Sequence, residues 1–374
     1  MKENYKGKNA ITLVALIVTI VVLLILAGIS ISTLTNTGIF QKAKEAKSTS
    51  ENAEKEQNKI LEEYENVLDQ YGDNTLISWF NSGKIKVGDY VSYTPDQAST
   101  TQILQELSTY SGSNENTSST LKQEMNLNWR VLDIKDGQVR LISEKPTESK
   151  ITLYGAKGYN NAVYLLDKIC KTLYTNSNLT NKVQNVKIED LQNHLTYDYT
   201  KQTNPNVDTG KYGGTKEYTE NKSYPSILAK ETTAWINGKK GTELGLSEQQ
   251  EPIDDTATQA KDSIKVTLTY WMDGLNKDSF IKPIYYEIFH KDGNKYAEYF
   301  MSSRCIYTQE NRADFDIRYI QASGVHTCCL YASNMYTGTE KKAFRPVITL
   351  NKNVQIDTTK SANGSTAEQA YIIK

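Results

Sequence analysis

Between residues 305 and 343 the chain interleaves polar and aromatic side chains at short spacings: Tyr307, Gln309, Asn311, Arg312, Asp314, Asp316, Tyr319, Gln321, His326, Tyr331, Asn334 and Tyr336. Such a set suits recognition. Tyrosine rings offer apolar area with a polar tip, while carboxylate, guanidinium and amide groups fix the orientation of what they touch. On strands, alternation places about half of these positions on one exposed face. The candidate ligand-binding residues are therefore Tyr307, Gln309, Asn311, Arg312, Asp314, Asp316, Tyr319, His326, Tyr331 and Tyr336. The competing reading is that they are ordinary solvent-facing positions. Across the whole chain 25 Tyr against 7 Phe also favours a binding surface or a wet, β-rich domain.

Catalytic constellations are missing. The chain has no Gly-x-Ser-x-Gly, no His-Glu-x-x-His and no glycine-rich phosphate loop followed by Lys-Ser/Thr. Asp254–Asp255 and Glu189–Asp190 are adjacent carboxylates, which point to opposite faces of a strand and read as solvated. Cys170, Cys305, Cys328 and Cys329 fit no zinc spacing, and the three histidines at 194, 290 and 326 are scattered. One or two disulfides remain open. The expectation is a protein that is not an enzyme, with no metal and no cofactor. A net charge of −1 over 374 residues gives no basic surface for nucleic acid.

The elements that must position this face begin with an uncharged run, Ile11 to Ile31, preceded by Lys2, Lys6 and Lys8. As a helix it would be roughly 31 Å long, close to the ~30 Å hydrocarbon core of a bilayer. The lysines place residues 1–10 in the cytoplasm and the chain beyond the run outside. An apolar stripe through Ile39, Ala43, Ala46, Ile60, Tyr64, Val67 and Tyr71, amid charged residues, predicts an amphipathic stalk over 32–72. Gly72-Asp73-Asn74 ends it.

Ala10-Ile11-Thr12-Leu13-Val14-Ala15-Leu16 resembles the cleavage box of type IV prepilins and pseudopilins, with Ala10 and Ile11 as the processing pair. The fifth residue after the cut is Ala15, where pilins usually carry Glu. The resemblance implies cleavage by a prepilin peptidase and contact with other pilin-like subunits.

Strands are expected at 86–93, 129–134 and 139–142, the last two joined by an Asp136-Gly137 hairpin turn. Residues 94–128 read as a loop with one helical turn at Ile103 to Leu107. Helices follow at 160–175 and 188–195, then polar loops over 197–262. Strands resume at 264–270, 285–289, 296–302, 315–320, 328–331 and 344–350, and Lys291-Asp292-Gly293-Asn294 reads as a hairpin turn, not a calcium-loop fragment. Trp129-Arg130-Val131-Leu132, Leu141 to Lys145, Tyr299 to Arg304 and Phe344 to Leu350 resemble a domain of uncharacterised function on Firmicutes surface proteins. More loosely, they are similar to C-type-lectin-like folds.

The expected fold class is α+β. A long N-terminal membrane and stalk α-helix (11–31, then 32–72) precedes a mixed, mainly antiparallel β-rich domain over 84–351 and an extension over 352–374. The expected protein is pilin-like, membrane-tethered and single-pass, and its extracellular domain binds an external protein or glycan. The alternatives are a structural minor pilin without ligand and a membrane-anchored extracellular enzyme.

Overall fold

The structure, a computed structural model, describes residues 18–23, 47–50, 52–59, 74–116, 121–201, 212–219, 223–230, 244–259, 263–270, 275–292 and 295–374. The chain divides into two compact units, Met1–Asp73 and Asn74–Lys374.

In the first unit the described residues are helical at 18–23, 47–50 and 52–59. This corrects the expectation of a long N-terminal helix. Residues 18–23, the described part of the run, are helical, and Val18 and Leu23 are 53% and 59% exposed. No helix among the described residues is long and apolar enough to cross a membrane. The transmembrane, single-pass and pilin-like readings are overturned. The rest of 11–31 and 32–72, with the processing pair Ala10 and Ile11, lies outside the described residues.

The second unit is mostly β-sheet with a few helices, most of them short, which corrects the expected α+β class: more of its buried apolar side chains lie on strands than on helices. Its helices are α1 (Leu76–Asn81), α2 (Thr101–Tyr110), α3 (Gly155–Tyr174), α4 (Ile188–Gln192), α5 (Ile227–Lys230), α6 (Leu244–Ser247) and α7 (Pro283–His290). Two sheets dominate. The first comprises β1 (Tyr90–Ser92), β2 (Trp129–Lys135), β3 (Gln138–Ser143) and β5 (Thr180–Asn185), with β16 (Pro346–Leu350) and β17 (Tyr371–Ile372) from the far end of the chain. Its strand order is β17-β1-β2-β3-β16-β5, so residues beyond 351 complete it. The second contains β4 (Lys150–Tyr154), β12 (Tyr299–Thr308), β13 (Ala313–Gln321), β14 (Gly324–Ala332) and β15 (Thr339–Ala343), in the order β14-β13-β12-β15-β4. Short ribbons pair β6 (Thr215–Tyr218) with β9 (Ile264–Thr267), β7 (Ser223–Pro225) with β8 (Ala257–Gln259), and β10 (Lys291–Asp292) with β11 (Lys295–Tyr296).

Helix α3 spans 20 residues and packs on β5 of one sheet and β12 of the other. It is buried on nearly every side, which is how a core helix differs from a surface one. Asn160 and Asn161 are polar members of that core and are hydrogen-bonded. The Asn160 amide donates to the carbonyls of Asp255 (2.8 Å) and Thr256 (2.6 Å), and Asn161 exchanges two 2.7 Å bonds with the backbone of Ile253. Thus α3 clamps the 253–256 segment.

Several local expectations change. Residues 285–289 are helical in α7, not a strand. Pro283 suits the first helical turn, and Tyr285, Ile288 and Phe289 form one buried face at helical spacing. The loop around Ile103 holds a ten-residue helix, because Ile103 and Leu107, one turn apart, both bury. Ribbons and single-turn helices occupy parts of 197–262. The Asp136-Gly137 turn has positive φ at both residues (52° and 70°), as a two-residue hairpin of type I′ requires. All four cysteines are free.

Candidate functional site

Along β13 the side chains of Asp314, Asp316, Arg318 and Ile320 share one face, and that face changes character along the strand. At the Ile320 end it is apolar, where Tyr299, Val325 and Phe289 of α7 close a second core. At the other end lie the two carboxylates, both with 0% exposure. Register places Cys305 and Cys329 on either side of Asp316, and Tyr307 beside Asp314. The opposite face, through Phe315, packs on Tyr159 of α3 with ring centroids 5.8 Å apart.

The carboxylates are buried yet poorly met. No oxygen of Asp314 or Asp316 has an aligned hydrogen-bond partner among the described residues. Arg312 Nε lies 2.8 Å from Asp314 Oδ1, an ion pair by distance but out of line for a hydrogen bond. Arg318 is the other cation on this face. Its guanidinium donates to the Tyr270 carbonyl (2.7 Å) and stacks over the Tyr270 ring at 4.6 Å. Burial pushes the Asp314 carboxyl up to about 6, against the opposing Arg312 charge and weaker polar contacts from Cys329 and Gln309. Burial pushes Asp316 up to about 8, and the neighbouring Asp314 charge adds to this, with smaller opposing effects from Thr327, Arg318 and Cys329. Burial also raises the Tyr307, Cys305 and Cys329 groups, so all three are neutral near pH 7.

The described residues over this floor are only partly buried. Tyr307, Arg312, Thr327 and Cys329 are each half-buried, and Met335 and Tyr336 beyond them are 52% and 49% exposed. Two turns build the rim. Gln309 to Arg312 closes the β12–β13 hairpin, with Gln309 N bonded to Arg312 O at 2.8 Å, and the Arg312 guanidinium sits 5.3 Å above the Tyr336 ring. After β14 the chain reverses tightly, with Met335 N to Ala332 O at 2.8 Å and Met335 at φ 66°, a conformation that costs a non-glycine residue about 1–2 kcal/mol. Gly338 permits the return, since a Cβ there would stand 2.1 Å from the Cys329 carbonyl oxygen.

The structure brings Tyr307, Gln309, Arg312, Asp314, Asp316 and Tyr336 to this end of the sheet, with Asn311 exposed on the hairpin turn. It separates the other three. Tyr331 is buried on the opposite face, stacked on Phe315 and bonded through its hydroxyl to Ser223 Oγ at 2.7 Å. Tyr319 and His326 sit together toward the other end of the strands, ring centroids 5.8 Å apart, with Lys342 Nζ 4.1 Å from the Tyr319 centroid. Cys305, Cys329, Thr327 and Arg318 were not legible as site residues, because only strand register sets them around Asp316. Cys305 and Cys329 flank β13 from two different strands, so they stand about 10 Å apart, too far for a disulfide.

A second carboxylate pair lies elsewhere in this unit. Arg140 Nε donates to Asp133 Oδ1 at 2.6 Å, its Nη2 to Asp133 Oδ2, and its Nη1 to Asp190 Oδ1. His194 Nε2 is 3.1 Å from Asp133 Oδ2, and its ring stacks on Tyr285 at 3.7 Å. Asp190, expected to be solvated, is 2% exposed and bonded. A shallow cleft of about 320 Å³, bordered by Tyr90, Met125 and Ala370, has no charged side chain in its lining and none of the candidate residues.

The described residues contain no group of three or more His, Cys, Asp or Glu placed to hold a metal ion. Compared with known proteins, the chain matches no family model, no curated protein and no solved structure.

Proposed function

We propose that the protein is a non-catalytic binding module whose ligand docks at the open end of the five-stranded sheet, over Tyr307, Arg312, Asp314, Asp316 and Tyr336. One observation carries this reading: two carboxylates with no exposure and no aligned hydrogen bond lie beneath a half-buried rim of aromatic and polar side chains. Leaving such a group unmet costs about 1–3 kcal/mol, a cost that a ligand supplying donors would offset. The strained turn at Met335 presents the exposed Tyr336 ring at the rim, a second cost concentrated at the same place.

An acid–base enzyme is the second reading, favoured by carboxyls raised to about 6 and about 8, values suited to proton transfer near neutral pH. The labelled full chain applied to peptide and glycan arrays tests the proposal. A ligand should be found whose capture is lost in Tyr336→Ala and kept in Tyr319→Ala. Capture by no array feature, or capture indifferent to Tyr336, overturns the binding site. Turnover of an array ligand that depends on Asp316 decides for the enzyme.

A further inference from the structure

Arg140 shows how this fold satisfies two facing carboxylates. One guanidinium lies between Asp133 and Asp190 and uses three of its N–H groups on them. Among the described residues no such group lies between Asp314 and Asp316, and their spacing invites one. Alternate residues of a strand stand roughly 6.5–7 Å apart on the same face. A planar guanidinium offers five donors in a fixed fork, enough to reach both carboxylates at once, where an ammonium is a compact point charge.

A guanidinium from the rim already reaches one of the two carboxylates. Arg312 enters from the hairpin turn and brings a guanidinium nitrogen to 2.8 Å from Asp314, but without hydrogen-bond alignment, and its other contact is the face of Tyr336. Arg318, the remaining cation among the described residues of this face, contacts the Tyr270 carbonyl and ring. Among the described residues, the other groups facing the pair are neutral: the Tyr307 phenol, the Gln309 amide, the Thr327 hydroxyl and the Cys305 and Cys329 thiols.

We infer that the ligand of this site presents a guanidinium, the arginine side chain of a peptide, which inserts between Asp314 and Asp316 while Arg312 withdraws its Nε from Asp314 and keeps its stack on Tyr336. The inference rests on the binding reading above and names its ligand. Insertion needs both carboxylates ionised, so binding expels a proton and tightens as pH rises from 5 to 8.5.

Isothermal titration of the full chain with a capped five-residue peptide carrying one central arginine is the test, with lysine and citrulline peptides as comparisons. The arginine peptide should bind at least ten-fold more tightly than the lysine peptide, and the citrulline peptide, equal in shape but uncharged, should not bind. Asp316→Asn should weaken binding at least ten-fold while melting as a folded protein, and Asp314→Asn should do the same. Arg312→Ala should strengthen binding by removing the internal competitor. Absence of arginine-peptide binding, equal binding of the lysine or citrulline peptide, or indifference to both Asp variants overturns the inference. In that event, an uncharged array ligand lost on Tyr336→Ala leaves the binding module standing with a different ligand class.

Discussion

Asp133 and Asp190 are bridged by a guanidinium, whereas Asp314 and Asp316 share a strand face with none between them among the described residues. Both pairs are buried, so burial alone does not decide their chemistry. For Asp133, burial raises the carboxyl but hydrogen bonds from His194 and Arg140 outweigh it, and the group ends below its ordinary value of 3.8. For Asp314 and Asp316, burial prevails and both end above it. The consequences for stability have opposite signs. A lowered carboxyl contributes stability at pH values above about 4, lost as pH falls through its folded value. A raised carboxyl binds its proton more strongly in the folded state, so its pair costs stability progressively as pH rises from about 4 through about 6 and about 8.

The strongest way to break this contrast is to empty the satisfied pair. Arg140→Leu leaves two buried carboxylates unpaired and should lower the unfolding free energy by about 3–5 kcal/mol, read from the urea midpoint. A loss under about 1 kcal/mol shows that the two pairs do not differ as described. Next, Asp316→Asn should stabilise the protein more at pH 9 than at pH 5, by about 1–3 kcal/mol, because the cost of the raised carboxyl grows across that range. Thermal melts of both proteins at both pH values check this, and a wild-type melting temperature that stays level from pH 5 to 9 counts against it. Gly338→Ala forces a Cβ onto the Cys329 carbonyl and should cost about 1–3 kcal/mol together with arginine-peptide binding. The smallest effect on stability belongs to Tyr336→Ala, within about 0.5 kcal/mol for so exposed a side chain, although ligand affinity should fall.

The two pairs are unequally legible. Asp314, Asp316, Tyr307 and Arg312 are neighbours along the chain, and period-two alternation is enough to group them in one candidate set. It cannot say that Tyr331 faces inward, because a bulge between Phe315 and Asp316 lets Tyr331 pair with Phe315 and Cys329 with Asp316. Asp133, Arg140, Asp190 and His194 come from a hairpin, a short helix and the turn after it. No spacing links them. Aromatic runs mislead in the other direction: Tyr285 to Phe289 reads as a strand, yet Tyr285, Ile288 and Phe289 also satisfy helical spacing, and packing beneath β13 chose the helix.

Residues alone determined the strands whose alternation and turns agree, β2, β3 and their Asp136-Gly137 hairpin above all, and the apolar face of α3. Those features depend on local backbone preferences and on side chains a few positions apart. Tertiary structure decided the rest. Which carboxylate meets a guanidinium, and which lies unmet under a half-buried rim, depends on strands brought together from distant parts of the chain, and in a buried site the presence or absence of that one partner reverses the sign of the electrostatics.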